Sequence, residues 1–276
     1  MSRRSALWRR LRLTALGGVA AATVFATVQP AGAAPAGPDP SPSVNRAFAQ
    51  ASQEFHVPGD LLVAVGYSET HLDGHDGRPS HANGYGVMHL VSNPTRHTLE
   101  RAAELTGEPA GALKRDTPAN VRGGAAVLRT YADALGLDRA ERRDLNAWYP
   151  VVARYSGARD DRTARLYADT VYRLLDDGVR ARTDTGVVSV APREVSPDRG
   201  RFADVPSLDA SGKGDADAGE AGIQSADYPP AHWVPAYSGN YSSGRSSSIT
   251  AVVIHVTQGS YAGTISWFQS PSANVS

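Results

Sequence analysis

An unbroken apolar stretch near the C-terminus, AVVIHV at residues 251–256, constrains the fold more than any other feature. A run of this kind is typical of a strand buried on both faces, as in parallel α/β sheets. It brings one imidazole, that of His255, to the carboxyl end of the strand, where open α/β sheets bind ligands. Because imidazole is a common zinc ligand, the pattern predicts the beginning of an α/β domain with a metal-binding histidine.

The residues after this stretch contain no partner for His255. About twenty residues follow it, and none of them is a His, Cys, Asp or Glu. A zinc site needs at least three protein ligands, so we expect the site to be incomplete in this chain and the chain to be a fragment. We also expect residues 227–276 to be poorly folded, because a sheet without its other strands leaves an apolar edge uncovered.

The N-terminus has the three parts of a secretory signal peptide. Five arginines within the first twelve residues precede an apolar stretch at 13–28 and the small residues AGAA at 31–34. The pattern predicts a signal peptide over 1–34 and a secreted protein, extracellular or at the cell wall. The arginine pair at 3–4 resembles a weak twin-arginine signal, which leaves the export route open, and a basic amphipathic anchor is the alternative.

Charge and cysteine content narrow the class of partner. Without residues 1–34 the chain has 23 basic and 28 acidic side chains, which argues against nucleic acid as a ligand. The chain has no cysteine, so an exported protein of this length must depend on its core for stability. No membrane segment follows the signal, and we expect a monomer that is free of the membrane once the signal is removed.

Periodicity and composition divide the rest of the chain. A Pro-rich spacer covers 35–42, a flexible linker covers 181–226, with SGKGDADAG at 211–219 as its plainest low-complexity stretch, and a second module covers 227–276. Between them, apolar residues at helical spacing predict a helical domain over 43–180. The fold class is therefore multidomain, with an all-α domain, a flexible linker and the start of an α/β domain. Helices are predicted over 44–55, 60–70, 118–135 and 161–177, with others near 94–107 and from 138.

Glu69 is the candidate catalytic residue of the helical domain. It lies at the end of a helix, four residues after Val65 and on the same apolar face. Partial desolvation raises the pKa of a carboxyl group, which suits a general acid that protonates a glycosidic oxygen. The alternative is a solvated glutamate with a structural role.

The surroundings of Glu69 add a resemblance. The segments ETHL (69–72), NGYGVMHL (83–90), TPANVRGG (117–124) and ARYSG (153–157) resemble motifs of lytic transglycosylases and goose-type lysozymes. The resemblance implies a lysozyme-like fold that binds peptidoglycan glycan strands, with Glu69 as the acid. It also implies four substrate-binding residues, Tyr85, Met88, His89 and Tyr155.

The sequence departs from that family's pattern at three places. His89 stands where the family has Gln, Ser156 stands where it has Asn, and residues 73–82 replace the usual connection. These changes remove polar groups that hold the sugar, so a wall-binding role without glycan cleavage remains an alternative. The histidines and aspartates of 71–89 also admit a metal site, but their spacing is not that of a structural zinc site.

A second resemblance concerns the C-terminal module. The segments AVVIHVTQGS (251–260) and AGTISWFQSPSANVS (262–276) resemble the opening of zinc-dependent N-acetylmuramoyl-L-alanine amidases related to peptidoglycan recognition proteins. The resemblance implies that His255 is the first ligand of one zinc ion, and that the substrate is the amide between the lactyl group and L-alanine of a stem peptide. The leading hypothesis is a secreted peptidoglycan amidase. The alternatives are a muramidase or lytic transglycosylase that acts through Glu69, and a non-catalytic peptidoglycan-binding protein.

Overall fold

The structure is a computed structural model that describes residues 43–207, 234–241, 260–271 and 273. The proposed signal peptide (1–34), the Pro-rich spacer (35–42), residues 208–226 of the predicted linker and the apolar stretch that contains His255 lie outside the described residues.

Helices make up most of the described chain. Seven of them follow one another before residue 178, and short 3₁₀ turns connect some of them. Their bounds are α1 Val44–Phe55, α2 Gly59–Thr70, α3 Thr98–Thr106, α4 Ala110–Arg115, α5 Thr117–Ala134, α6 Tyr149–Tyr155 and α7 Asp161–Asp177, with α8 Tyr261–Phe268 much later in the chain.

Side-chain caps fix where the main helices begin. The side chains of Ser43, Asp116 and Asp160 accept hydrogen bonds from backbone N–H groups in the first turns of α1, α5 and α7. Pro118 lies in the first turn of α5, where its missing N–H costs nothing. The predicted helices over 44–55, 60–70, 118–135 and 161–177 are confirmed to within about one residue at each end.

Two of the helix predictions are wrong at their starts. A helix was expected from Pro94, but α3 begins at Thr98, because Pro94 occupies the turn of a small hairpin. A helix was also expected from Asp138. There the Asp138 carboxylate instead accepts the N–H groups of Ala140 and Glu141, and 3₁₀ turns at Glu141–Arg143 and Leu145–Trp148 lead into α6.

The helical domain also contains strands, which an all-α assignment omits. Strands β1 (Gly84–Tyr85), β2 (Leu90–Asn93) and β3 (Arg96–His97) form an antiparallel sheet in that order. Tyr85 pairs with Leu90 in the register, so the chain between β1 and β2 is a tight turn. This turn carries residues 86–89, which border the candidate site.

A second hairpin lies in the first part of the predicted linker. Strands β4 (Val179–Thr183) and β5 (Gly186–Val190) pair antiparallel, and their inward residues join the helical core. Phe202 is also buried, with its ring 6.2 Å from that of Tyr149 in an edge-on arrangement. The linker predicted over 181–226 therefore overlaps folded structure, and the helical unit extends to residue 207.

Helix α5 packs closely against the turn that carries the site. A Cβ atom at Gly124 would lie 2.7 Å from the Met88 side chain, and one at Gly123 would lie 2.9 Å from Leu113. Because any larger residue would clash at both positions, Gly124 lets α5 lie directly against the turn at 86–89, and Gly123 lets it lie against α4.

Helix α8 belongs to the module expected to be poorly folded, yet it is a capped helix. The Ser260 side chain accepts the N–H of Gly263, and Ala262 is buried against the helical unit. Arg159 donates a hydrogen bond to Ser270 over 3.2 Å. None of the helices that the structure describes has the length and apolar character needed to cross a bilayer.

We expect Phe202→Ala to lower the free energy of unfolding by about 3 kcal/mol or more, because it removes a buried ring from the core. Urea denaturation measures this change. Leu135→Ala, at an exposed apolar residue, is the control and should change stability by less than about 0.5 kcal/mol. Equal effects of the two substitutions would show that residues 191–207 do not pack on the helices.

Candidate functional site

The Glu69 carboxylate is the centre of the candidate site. Glu69 lies in the last turn of α2 and is only 3% exposed. The Tyr167 hydroxyl, from α7, donates a hydrogen bond to Oε1 over 2.7 Å. On the other side, Nδ1 of His89 lies 3.2 Å from Oε2. The carboxylate is thus held between α7, whose Tyr167 lies 98 residues later in the chain, and the turn after β1, which carries His89.

His89 is buried beside Glu69 and connects it to Ser80. The imidazole is 5% exposed, and its Nε2 atom lies 2.7 Å from the Ser80 hydroxyl oxygen. The backbone N–H of Gly84 donates to the same oxygen over 3.1 Å. The residues therefore form a chain from Ser80 through His89 to Glu69, and sequence reasoning did not find Ser80.

The turn is built closely around the imidazole ring. His89 has a left-handed backbone conformation with φ of 49°, which is uncommon for a residue with a side chain. A Cβ atom at Gly84 would lie 2.3 Å from Nε2 of His89, so only glycine leaves room for the ring. Backbone strain at a buried titratable residue is typical of functional sites.

Asn120, in the first turn of α5, is hydrogen-bonded to the turn that carries residues 86–89. Its Oδ1 atom accepts the N–H of Met88 over 2.8 Å, and its Nδ2 atom donates to the carbonyls of Tyr85 (2.9 Å) and Leu113 (2.8 Å). Gly86 has φ of 66°, and a Cβ there would overlap the Asn120 side chain. Asn120, which belongs to the segment 117–124 that resembles the transglycosylase motif, is therefore buried and fixes the conformation of the turn.

None of the four predicted substrate-binding residues lines the cavity beside Glu69. Met88 and Tyr155 are fully or almost fully buried, and the Tyr155 hydroxyl donates to the Met88 carbonyl over 2.8 Å. Tyr85 donates to Asn83, and His89 contacts Glu69. Core packing or internal contacts thus involve all four residues, and their role in substrate binding stays a prediction.

Ser156 also has an internal role. Its hydroxyl donates to the carbonyl of Ala153 over 2.6 Å and accepts the N–H of Ala158 over 3.1 Å. Ser156 is thus buried, and its hydroxyl group is hydrogen-bonded at the end of α6.

Glu69 lines a cavity of about 480 Å³, a size typical of small-molecule sites. Helices α2, α7 and α8 form its walls. The side chains around Glu69 are a mixture of aromatic, hydroxyl and acidic groups, among them Tyr67, Ser68, His71, Asp73, Tyr167 and Tyr261. Such a lining suits a polar ligand with apolar faces, which is the character of a sugar ring.

The pKa of Glu69 is lower than its ordinary value, contrary to the expectation from the sequence. Burial is the largest influence and raises the pKa. The His89 imidazole beside Oε2, the charge of Arg96 and the hydroxyl of Tyr167 lower the pKa and together outweigh burial. The same carboxylate acts on its neighbours, since burial first and the Glu69 charge second raise the pKa of Tyr167 well above its usual value. Glu69 is therefore ionised at neutral pH in this arrangement.

The part of the chain that the structure describes contains no group of three or more His, Cys, Asp or Glu side chains able to hold a metal ion. In the loop after α2, Nδ1 of His75 lies 3.5 Å from the Asp73 carboxylate. No third His, Cys, Asp or Glu among the described residues joins this pair in a possible metal site. His255 lies outside the described residues, so its role as a zinc ligand stays a prediction.

Comparison with known proteins shows that the chain contains an amidase-related region. Over 50 residues it is 56% identical to N-acetylmuramoyl-L-alanine amidase A of Achromobacter lyticus. These residues are 18% of this chain and 28% of that protein, so the chain matches little more than a quarter of the relative. No family model and no solved structure matches the chain.

We expect the stability difference between the wild type and Glu69→Gln to disappear at acid pH. Because the folded-state pKa of Glu69 lies below its unfolded value, the ionised carboxylate stabilises the fold above the unfolded pKa. This contribution is lost as pH falls through the folded pKa. Urea unfolding at about pH 7 and about pH 3 measures it. A difference that persists or grows in acid would contradict the ionised state.

Proposed function

We propose that this protein is a secreted peptidoglycan hydrolase of the N-acetylmuramoyl-L-alanine amidase type. The observation that carries the proposal is the 56% identity over 50 residues to an enzyme of that name. We infer that this match corresponds to the C-terminal segment that resembles the amidases, which contains His255. Its substrate would be the amide between the muramic acid lactyl group and L-alanine.

Zinc dependence is part of this proposal. In amidases of this kind the metal polarises the amide carbonyl and acidifies a water molecule. We assign His255 to the metal, because it stands where the amidases that residues 251–276 resemble have their first zinc ligand. Partners of the proposed enzyme are the stem peptides and glycan strands of the bacterial wall.

We expect His255→Ala, in the protein as its gene encodes it, to lower amide cleavage by at least about 100-fold, the upper range for disturbing a metal ligand's support. The assay counts new L-alanine amino termini released from purified peptidoglycan. His97→Ala, at an exposed histidine on β3, is the matched control and should keep full activity. An active His255→Ala protein would remove the metal assignment.

A second activity, glycan cleavage through Glu69, is favoured by a specific observation. Glu69 is only 3% exposed, yet it lines a cavity large enough for a sugar. Burying its charge is unfavourable for folding, so the arrangement calls for a functional reason. Tyr167 fixes Oε1, and the carboxylate borders the cavity where a glycosidic bond could lie. In its ionised form Glu69 can stabilise positive charge on the sugar, and after gaining a proton it can protonate the leaving oxygen.

We expect Glu69→Gln to reduce glycan cleavage by about 100-fold or more, since general acid catalysis contributes 10²–10⁴-fold. New reducing ends or anhydro-muramic ends report the cut, and sedimentation with the wall reports binding, which should be unchanged. Glu104→Gln, an exposed glutamate on α3, controls for loss of charge. Wild-type protein that binds the wall without releasing either product would indicate a binding protein instead.

A further inference from the structure

The site contains a second group that can carry a proton. Nδ1 of His89 is buried and lies 3.2 Å from Oε2 of Glu69, yet it is not aligned with any acceptor as a hydrogen bond. A buried polar atom without a hydrogen bond is rare in folded proteins and calls for a physical reason. Here the atom faces the carboxylate that lines the cavity.

The other ring nitrogen of His89 is fixed by Ser80. The Ser80 oxygen accepts the N–H of Gly84 and has a second lone pair, which can accept a hydrogen bond from a proton on Nε2. With Nε2 protonated in this way, Nδ1 is the ring atom that takes up or releases a proton beside Glu69. Ser80 itself is held by its N–H, which donates to the Gly84 carbonyl over 2.9 Å.

We propose that His89 is a positioning residue that stores the proton which Glu69 delivers to the glycosidic oxygen, with Ser80 fixing its ring. This inference rests on the glycan cleavage proposed above. It is carried by the order of the groups: the cavity, then Glu69, then His89, then Ser80. His89 does not line the cavity, so it acts on the substrate through Glu69.

The proton transfers balance over one cycle. The doubly protonated imidazole passes its Nδ1 proton to Oε2, and Glu69 passes this proton to the glycosidic oxygen as the carbon–oxygen bond breaks. The bonding electron pair stays on the leaving oxygen, which becomes a hydroxyl group. The anomeric carbon is then attacked by a water or by a sugar hydroxyl, whose proton returns to Glu69 and so to His89.

Other groups around the pair come from three further elements. Arg96 on β3 contributes positive charge and donates to the Tyr155 carbonyl over 2.9 Å. Tyr167 on α7 and Tyr155 on α6 are both neutral at working pH, because burial raises the pKa of each. The two tyrosines therefore do not compete with Glu69 and His89 for the transferred proton.

Serine, histidine and carboxylate in this order also form the connectivity of a nucleophilic triad. The placement of Ser80 argues against that use. Ser80 is buried and does not line the cavity, and the Gly84 N–H that could stabilise an oxyanion donates to the Ser80 oxygen itself. A nucleophilic serine is therefore an outcome that the experiment must distinguish.

The test replaces His89 with glycine and adds the missing ring back. Glycine suits the left-handed backbone at 89 and leaves a space shaped like imidazole. We expect His89→Gly to lower kcat for glycan cleavage by about 100-fold with little change in KM. Free imidazole should restore at least a tenth of the lost kcat. Pyrazole, which has the same shape but is a much weaker base, should not.

Controls separate this proposal from the function it rests on. Imidazole should not rescue His89→Gly combined with Glu69→Gln, and thermal unfolding should show that His89→Gly is folded. Equal rescue by pyrazole, or an unchanged kcat in His89→Gly, would overturn the proton-storing role while leaving Glu69 catalysis intact. Labelling of Ser80 by a fluorophosphonate would overturn it in favour of a nucleophilic serine. A wild-type protein that cuts no glycan would overturn both.

Discussion

The buried carboxylate of Glu69 is the constraint on which the arrangement of the helical unit depends. An ionised group at 3% exposure is costly unless its lone pairs find partners. Tyr167 supplies a hydrogen bond from α7, and His89 supplies a second contact from the turn after β1. Three elements that are far apart in sequence therefore have to meet at one carboxylate. Removing either partner would leave the buried charge with one fewer compensating contact.

The turn at 84–89 meets that requirement through its own supports. Asn120 fixes the turn with two hydrogen bonds and ties it to α4 with a third, and Tyr155 donates to the Met88 carbonyl. Glycine at 84 and 86 makes room for the imidazole and for the amide. In this chain the segment 83–90, which resembles a sugar-binding loop, holds the imidazole of His89 against the Glu69 carboxylate. His89 in place of the family's Gln changes a hydrogen-bonding group into one that can carry a proton.

Local patterns predicted the long helices, and they failed where the chain reverses direction. In α1, α5 and α7 the apolar residues recur at helical spacing, and each helix has a polar N-cap residue. The bounds of these helices therefore follow from the sequence. The linker predicted over 181–226 contains most of the hairpin of β4 and β5, whose alternating buried and exposed residues are a strand signal.

The candidate site was only partly predictable for a similar reason. Glu69 was found because it ends an apolar helix face, a short-range pattern. Its partners were not, because Tyr167 lies 98 residues away and Ser80 reaches His89 through a left-handed turn. The direction of the Glu69 pKa shift depends on those partners. Burial alone, which the sequence suggested, gives the opposite sign.

Carbon-13 NMR of the glutamate side-chain carboxyl groups, with Glu69→Gln to assign the resonance, measures the ionisation of Glu69 directly. The account predicts that this resonance titrates below the ordinary glutamate pKa of 4.5, because His89, Arg96 and Tyr167 outweigh burial. A titration above that value would show that the carboxyl is protonated in the resting protein, and it would contradict the paired, ionised site described above.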